Sequence, residues 1–421
     1  MLKRVQTAEI KLGMFIEKLE GSWFKHPFWK SRFLLAEQWM LEVLQGSTVE
    51  TVIIDTAKGL DTAPAPVPAA AAAPRAQAVP ARTMPLAASR PTATHFAARA
   101  ATAREFGTAR KIADRHSKVV SRVFLEARLG RGISARYVDP LIDDIYASVQ
   151  RNLYAFNGLL RCREDSEETY RHALATSALM IALARQMKLP PSDTREAGMA
   201  GLLMDIGAGQ DAATGMRSGL QDTAGEADQR SQHVLVGHAL LKAAGDIPDQ
   251  VLKVCLRHHE RLDGSGYPHG LAGGDIDRMS RMAAICDSYD RLVGGADGAS
   301  VLDPAEAIRK LGENDESLDP EIMRSFIEML GIYPIGTFVE LRSGRLAMVV
   351  DEDPSDKTLP TAYTFWSRPL GKRIKGEIIE MSQCYGADEI LGIAELSGLD
   401  LPPLGALRQS LLTAFGRAAV A

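Results

Sequence analysis

Two histidines stand side by side at positions 258 and 259, in the run His258-His259-Glu260-Arg261-Leu262-Asp263-Gly264-Ser265-Gly266-Tyr267-Pro268. Neutral imidazole is the commonest protein metal ligand. The preceding residues, Pro248 to Arg257, carry Val251, Val254 and Cys255 at i, i+3, i+4, which predicts a helix. Gly264, Gly266 and Pro268 are loop signals. The pair therefore sits where a helix opens into a loop, the one place where two consecutive rings can turn toward a single polar pocket. A His pair with no other donors reads equally well as a solvated helix end.

Other donors are present. Glu168 and His172 are four residues apart and share a helical face, a spacing that can put a carboxylate and an imidazole on one metal and that also occurs in plain surface pairs. Asp205 follows the apolar Leu202-Leu203-Met204, His233 opens another helical stretch, and Asp287 lies near the end of Arg281 to Asp290. Together they make a set of imidazoles and carboxylates, which suits non-haem iron or manganese. They are spread over about 120 residues of helical periodicity, as a site in a bundle core requires. His238 lies five residues after His233, about 140° around the helix, and falls outside this set. His26 stands alone and reads as structural.

The elements that must position these residues can be placed from the pattern. A chain of 421 residues has room for two or three domains. Residues 1–60 read as a small α/β module, with strand-like pieces at Arg4–Ile10 and Gly13–Ile16, a helix over Arg32–Leu44 and a strand over Val49–Asp55. Residues 61–94 are crowded with Pro and Ala and read as an extended linker. Residues 95–135 are a connecting helix, open to a signalling or dimerising role. The metal domain spans 136–332, with a helix over Pro140–Gly158 carrying Ile142, Ile145, Tyr146 and Val149 on one stripe. Residues 333–397 are a small β module, with a hairpin around Ser343-Gly344 and a third strand over Ala362–Trp366. Residues 398–421 form an amphipathic helix, with Leu407, Leu411, Leu412 and Phe415 on one side, that docks on the protein rather than on a membrane. The fold class is mainly α.

Composition narrows the partners. Net charge is −4, so no polyanion-binding signature is present and nucleic acid is not an expected partner. Cysteines 162, 255, 286 and 384 form no CxxC and read as small core residues in a reducing compartment. Lys3, Arg4, Glu9 and Lys11 interrupt the first residues, and the longest apolar runs fall short of the ~20 residues a span needs. A cytoplasmic, soluble protein follows.

The eleven-position run His258 to Pro268 resembles, without a gap, the signature of the HD-GYP phosphodiesterases, metal-dependent HD hydrolases that cleave cyclic di-GMP. Gly13-Met14, Gly21-Ser22-Trp23, His26-Pro27-Phe28 and Val52-Ile53-Ile54-Asp55 resemble the N-terminal domain of unknown function that precedes some of them. The resemblance implies a helical-bundle HD-GYP metal domain. It implies a ligand set of Glu168, His172, Asp205, His233, His258, His259 and Asp287 for two or three divalent ions, iron or manganese. Asp205 would bridge, His172 and Asp287 would hold one ion, His233, His258 and His259 the other, and Glu168 a third. Asp205 and His233 are the implied catalytic residues. Asp263, Gly264, Gly266, Tyr267 and Pro268 would form a loop at the pocket mouth, which in the family contacts diguanylate cyclase (GGDEF) domains. The implied substrate is a cyclic dinucleotide, hydrolysed to pGpG or GMP in bacterial second-messenger signalling.

This chain departs from the pattern at three places. The family's Leu-Leu-His-Asp-Ile-Gly-Lys is Leu202-Leu203-Met204-Asp205-Ile206-Gly207-Ala208, so the first letter of the HD pair is a thioether and the Lys is lost. Met204 reads as core filler. The Arg-Pro-Tyr that helps hold phosphates is replaced by Val293-Gly294-Gly295-Ala296-Asp297-Gly298. Three readings stay open: a phosphodiesterase of reduced activity with a degenerate site, an inactive regulatory module that binds ligand or protein, or, behind these two, a hydrolase of another nucleotide. A homodimer is also left open.

Overall fold

The computed structural model of the protein describes residues 2–19, 33–35, 41, 44–45, 51–60, 93–129, 133–152, 155–161, 168–208, 226–294, 301–313, 316–353, 356–384 and 388–419. The chain divides into two compact units, 1–89 and 90–421.

In the first unit, β1 (Leu2–Gln6), β2 (Phe15–Leu19), β3 (Phe33–Leu34) and β4 (Thr51–Asp55) form an antiparallel sheet in the order β1-β4-β2-β3. β-Branched residues of β4 fit its centre: Val52 pairs with Val5, and Ile54 with Ile16. Val5, Met14, Ile16, Leu35, Leu44, Val52 and Ile54 make the core. The helix expected from Arg32 is overturned at its start. Phe33 and Leu34 pair with Ile16 and Phe15 as a strand, because sheet pairing overrides a helical spacing this short. His26, the whole 21–28 run and the Pro/Ala stretch up to residue 92 lie outside the described residues.

The second unit opens with α1 (Ala93–Arg128), α2 (Asp139–Arg151) and α3 (Ala155–Arg161). The single helix expected over Pro140–Gly158 is two. Asn152 takes an extended backbone (φ −150°, ψ 114°), and its side-chain Oδ1 accepts the Ala155 N–H at 2.9 Å, ending one helix and capping the next. α4 (Glu168–Gln186) is apolar nearly all round, and every residue from Ala173 to Ala184 is buried. α5 (Pro191–Leu203) lies against it so closely that a Cβ at Gly201 would stand 2.7 Å from the Thr176 carbonyl oxygen, and the Thr176 hydroxyl donates to the Gly201 carbonyl at 2.7 Å. α6 (Glu226–Ala244), α7 (Asp249–Arg257) and α8 (Arg278–Gly294) complete the bundle around α4 and α5, followed by α9 (Pro304–Gly312) and α10 (Pro320–Leu330).

The strands β5 (Phe338–Leu341), β6 (Arg345–Asp351), β7 (Thr361–Ser367), β8 (Lys372–Arg373), β9 (Ile378–Glu380) and β10 (Ile390–Ile393) make the second antiparallel sheet, ordered β10-β5-β6-β7-β8 with β9 also on β7. β5 and β6 turn at Ser343-Gly344, where Gly344 takes φ +73°. The closing helix α11 (Leu404–Ala418) buries Leu407, Leu411, Leu412 and Phe415 and touches α1, β6 and β7. The architecture is mainly α, with a small sheet in each unit. No helix among the described residues is long and apolar enough to cross a membrane.

Candidate metal centre

Five elements deliver the donors. His172 lies in the first turns of α4. Asp205 sits in the turn that leaves α5, just after Met204, whose side chain is fully buried. His233 is in mid-α6, and the Asp205 turn reaches it because Gly207 lets the two backbones touch: a Cβ there would meet the His233 carbonyl oxygen at 2.1 Å. His258 caps the C-terminus of α7 and His259 follows it. Asp287 and Asp290 lie on α8.

These side chains converge. His172 Nε2 is 3.0 Å from Asp205 Oδ2 and 3.1 Å from Asp287 Oδ1. The other oxygen of Asp205, Oδ1, is 3.4 Å from both His233 Nε2 and His258 Nε2. His259 Nε2 stands 3.1 Å from His233 Nε2, and its Nδ1 is 3.8 Å from Asp287 Oδ2. Two donor groups result, one of Asp205, His233, His258 and His259, the other of His172, Asp205 and Asp287, with ligand atoms within 4.8 Å of one another in each. Asp205 belongs to both. The side chain of Glu168 lies outside the described residues. His238 is not part of either group.

The donor set fits a metal. His172 Nε2, Asp205 Oδ1 and His258 Nε2 are buried and make no hydrogen bond of acceptable geometry, although they face one another. Donor separations near 3–3.5 Å are what bonds of about 2.1 Å to one ion demand. The far side of two rings is already fixed. His258 Nδ1 lies 3.2 and 3.1 Å from the carbonyl oxygens of Val254 and Cys255, so it donates there and leaves Nε2 as the lone pair toward Asp205. His172 Nδ1 is 2.8 Å from Asp290 Oδ2.

Charge follows the geometry. Burial disfavours a charged His172, but the close carboxylates of Asp205, Asp287 and Asp290 outweigh it and hold the ring well above the ordinary imidazole value. Burial would raise both Asp205 and Asp287. In Asp205 the neighbouring His172 and His258 prevail, in Asp287 the Arg291 charge and His172, and both carboxyls stay well below the usual range. Burial, then the neighbouring His258, push His259 down, so it is held neutral, as a ligand must be.

The loop after the His pair is tied back by Glu260. This buried carboxylate accepts the N–H groups of His269 and Leu271, each at 2.9 Å. Tyr267 stacks on His259, centroids 4.6 Å apart, and burial raises its hydroxyl to about 12. Asp263 Oδ1 accepts from the Ser265 N–H and hydroxyl, closing a turn in which Gly264 takes φ +77°. Gly266 and Pro268 lie in the same loop.

Three residues at the centre carried no role in the sequence reading. Asp290 orients His172, and its signal was the i+3 spacing from Asp287. Glu260 holds the loop. Arg291 places Nε 2.8 Å from Asp287 Oδ1 and Nη2 3.2 Å from Asp205 Oδ2. Arg291 stands four residues after Asp287, a helical spacing that in a sequence resembles a surface ion pair.

Comparison with known proteins settles the family. A family model described as an HD domain matches residues 157–322, and one described as a domain of unknown function (DUF3391) matches residues 2–138. A cyclic di-GMP phosphodiesterase of Pseudomonas aeruginosa is 38% identical over 395 residues, 93% of this chain and 92% of that one. The chain belongs to the HD-GYP family. A 3'3'-cGAMP-specific phosphodiesterase of Vibrio cholerae is 26% identical across 46% of this HD-GYP chain and 41% of its own. A solved HDG"Y"P protein from Bdellovibrio bacteriovorus covers 78% of this chain and 99% of its own, at 16% identity and a TM-score of 0.43. The domain-of-unknown-function match runs past the Pro/Ala stretch and α1 to the residue before α2.

Proposed function

We propose that this protein is a metal-dependent phosphodiesterase that hydrolyses cyclic di-GMP to pGpG, with activity reduced by the loss of a ligand at Met204 and of a cation at Ala208. The observation that carries the reading is the convergence of His172, Asp205, His233, His258, His259 and Asp287 on two donor groups that share Asp205. The substrate comes from the 38% identical relative, which is named for cyclic di-GMP.

In this reading His233, His258, His259 and Asp205 Oδ1 hold one divalent ion, iron or manganese, and His172, Asp287 and Asp205 Oδ2 face a second position. When bound, such metals supply charge stabilisation on phosphoryl oxygens and acidify water. The overall step adds a water oxygen to phosphorus and breaks the P–O3′ bond, leaving the 5′-phosphate on pGpG and a proton on the freed O3′. The chain's own groups prepare that step. Asp290 at Nδ1 aims the Nε2 side of His172 at the two carboxylates. The Val254 and Cys255 carbonyls fix the tautomer of His258. Tyr267 covers one face of His259 and limits water there. The loop from Asp263 to Pro268 would border the substrate and offer a surface to a partner such as a diguanylate cyclase domain.

A specific observation favours a second reading, a regulatory module without turnover: Met204 is wholly buried and supplies no donor. Purified full-length protein reloaded with Mn2+, or anaerobically with Fe2+, decides between them. We expect bound metal and slow release of pGpG, and loss of both in His258→Ala. Metal binding with no pGpG supports the regulatory module. No metal in the wild-type protein overturns the phosphodiesterase reading and the metal centre with it.

A further inference from the structure

We propose that the Arg291 guanidinium occupies the His172 side of this centre in place of a metal ion, so that the chain takes up a single metal, at His233, His258, His259 and Asp205 Oδ1. The inference rests on the metal-centre reading above and narrows it.

The two sides of the centre are not equivalent. On the His172 side, the oxygens nearest His172 Nε2 are Asp205 Oδ2 and Asp287 Oδ1, at 3.0 and 3.1 Å. Those same two oxygens are the ones Arg291 engages, through Nη2 at 3.2 Å and Nε at 2.8 Å. One planar guanidinium thus bridges the two carboxylates, with one charge-assisted hydrogen bond to each. Arg291 is placed there by α8 itself, four residues after Asp287 on the same face. Buried atoms without a hydrogen bond occur on both sides, His172 Nε2 on this one and Asp205 Oδ1 and His258 Nε2 on the other, so the difference between them is the guanidinium on the His172 side.

Charge gives the reason for the substitution. Asp205 and Asp287 are both buried, and two buried carboxylates at this separation require a compensating cation. Arginine is protonated at every accessible pH and supplies that charge permanently. The residue before Asp205, Met204, adds no hard donor to this side. Three donors whose two carboxylate oxygens already hold a resident cation are a poor competitor for a dication, whereas four donors with no cation among them are a good one. An ion on the His172 side would have to displace the guanidinium from both oxygens.

Metal counting tests the inference without relying on turnover. Full-length protein, stripped and reloaded with Mn2+, is dialysed to equilibrium, and metal per chain is measured by elemental analysis with the EPR spectrum. The wild-type chain should hold one Mn2+ with the signal of an isolated ion. Arg291→Ala should hold two, with an exchange-coupled signal. Arg291→Gln, which keeps most of the side-chain volume, should do the same if the Ala variant does not fold. Two ions in the wild-type chain overturn the inference and leave the metal centre intact. One ion in a folded neutral variant does so as well. No ion in any of the proteins overturns the metal-centre reading itself.

Discussion

At the residue scale, Met204 is where the family pattern and this chain part. Its side chain is fully buried at the start of the turn that carries Asp205, and its carbonyl accepts the Cys255 thiol at 3.4 Å. Burial pushes that thiol's pKa up, so Cys255 stays a protonated, inert neighbour rather than a soft ligand. Met204→His combined with Ala208→Lys should restore a donor and a cation. Without metal, an unpaired imidazole in this site costs about 1–3 kcal/mol, so the melting temperature should drop. Added Mn2+ should recover it, and should stabilise the double variant more than the wild-type protein. A melting temperature that stays equally low with and without Mn2+ would show that position 204 cannot reach the centre. If Arg291 guards the His172 side, the full gain requires its replacement as well, so the two sites should be non-additive in metal uptake.

At the element scale, the helical bundle was legible because its signals are local and strong: apolar periodicity in α2 and α7, Pro at the first positions of α2, α5, α9 and α10. The convergence of the donors is not a local property. The sequence put His172, Asp205, His233, His258, His259 and Asp287 in order only through their match to a family pattern, and nothing in their spacing tells which oxygen of Asp205 meets which ring. Arg291 was invisible for the same reason, since an i+4 Asp–Arg pair on a helix reads as a surface ion pair. The break at Asn152 was missed because a single capping amide outweighs four residues of helical stripe. Another cap carries a prediction. Asp303 N-caps α9, accepts the Ala305 and Phe338 N–H groups, and faces Arg408 at 3.6 Å. Burial raises its carboxyl to about 6, against the opposing pull of Arg408. A carboxyl raised above its unfolded value near 3.8 binds its proton more tightly when folded, so its contribution is full below that value and declines as pH rises toward about 6. Asp303→Asn keeps an acceptor for the cap and does not titrate. Its melting temperature relative to the wild-type protein should therefore rise between pH 4 and 6 and level off above; a difference that is flat over this window would show that burial does not control this group.

At the scale of the whole molecule, the two units divide the work unequally. Every donor of the centre among the described residues, and every group that orients one, comes from 172–291, inside the 90–421 unit. The first unit closes its own core with Val5, Met14, Ile16, Leu35, Leu44, Val52 and Ile54. The C-terminal sheet and helix are different. Read from sequence they form separate modules at 333–397 and 398–421, but the structure ties them to the helices through buried polar contacts. The buried Arg408 of α11 donates to the Gly336 carbonyl at 2.9 Å, approaches Asp303 and lies over the Phe338 ring, 4.9 Å from its centroid. Phe338 N–H in turn donates to Asp303 at 3.1 Å. Ending the chain at 332 would strip Asp303 of Phe338 and Arg408 and leave it only its cap within α9, a loss of about 3–5 kcal/mol by the usual cost of breaking a buried pair. It would also uncover the faces that Leu407, Leu411, Leu412 and Phe415 occupy. A chain of residues 90–421 should therefore melt cooperatively and take up the same metal per chain as the full protein. A chain ending at 332 should melt at markedly lower temperature or aggregate, with metal uptake lost alongside the fold. Calorimetry and elemental analysis on the two truncations check this. Equal stability of both would show that the C-terminal sheet and helix are appendages, and a loss of metal on removing 1–89 would give the first unit a part in the centre that its residues do not suggest.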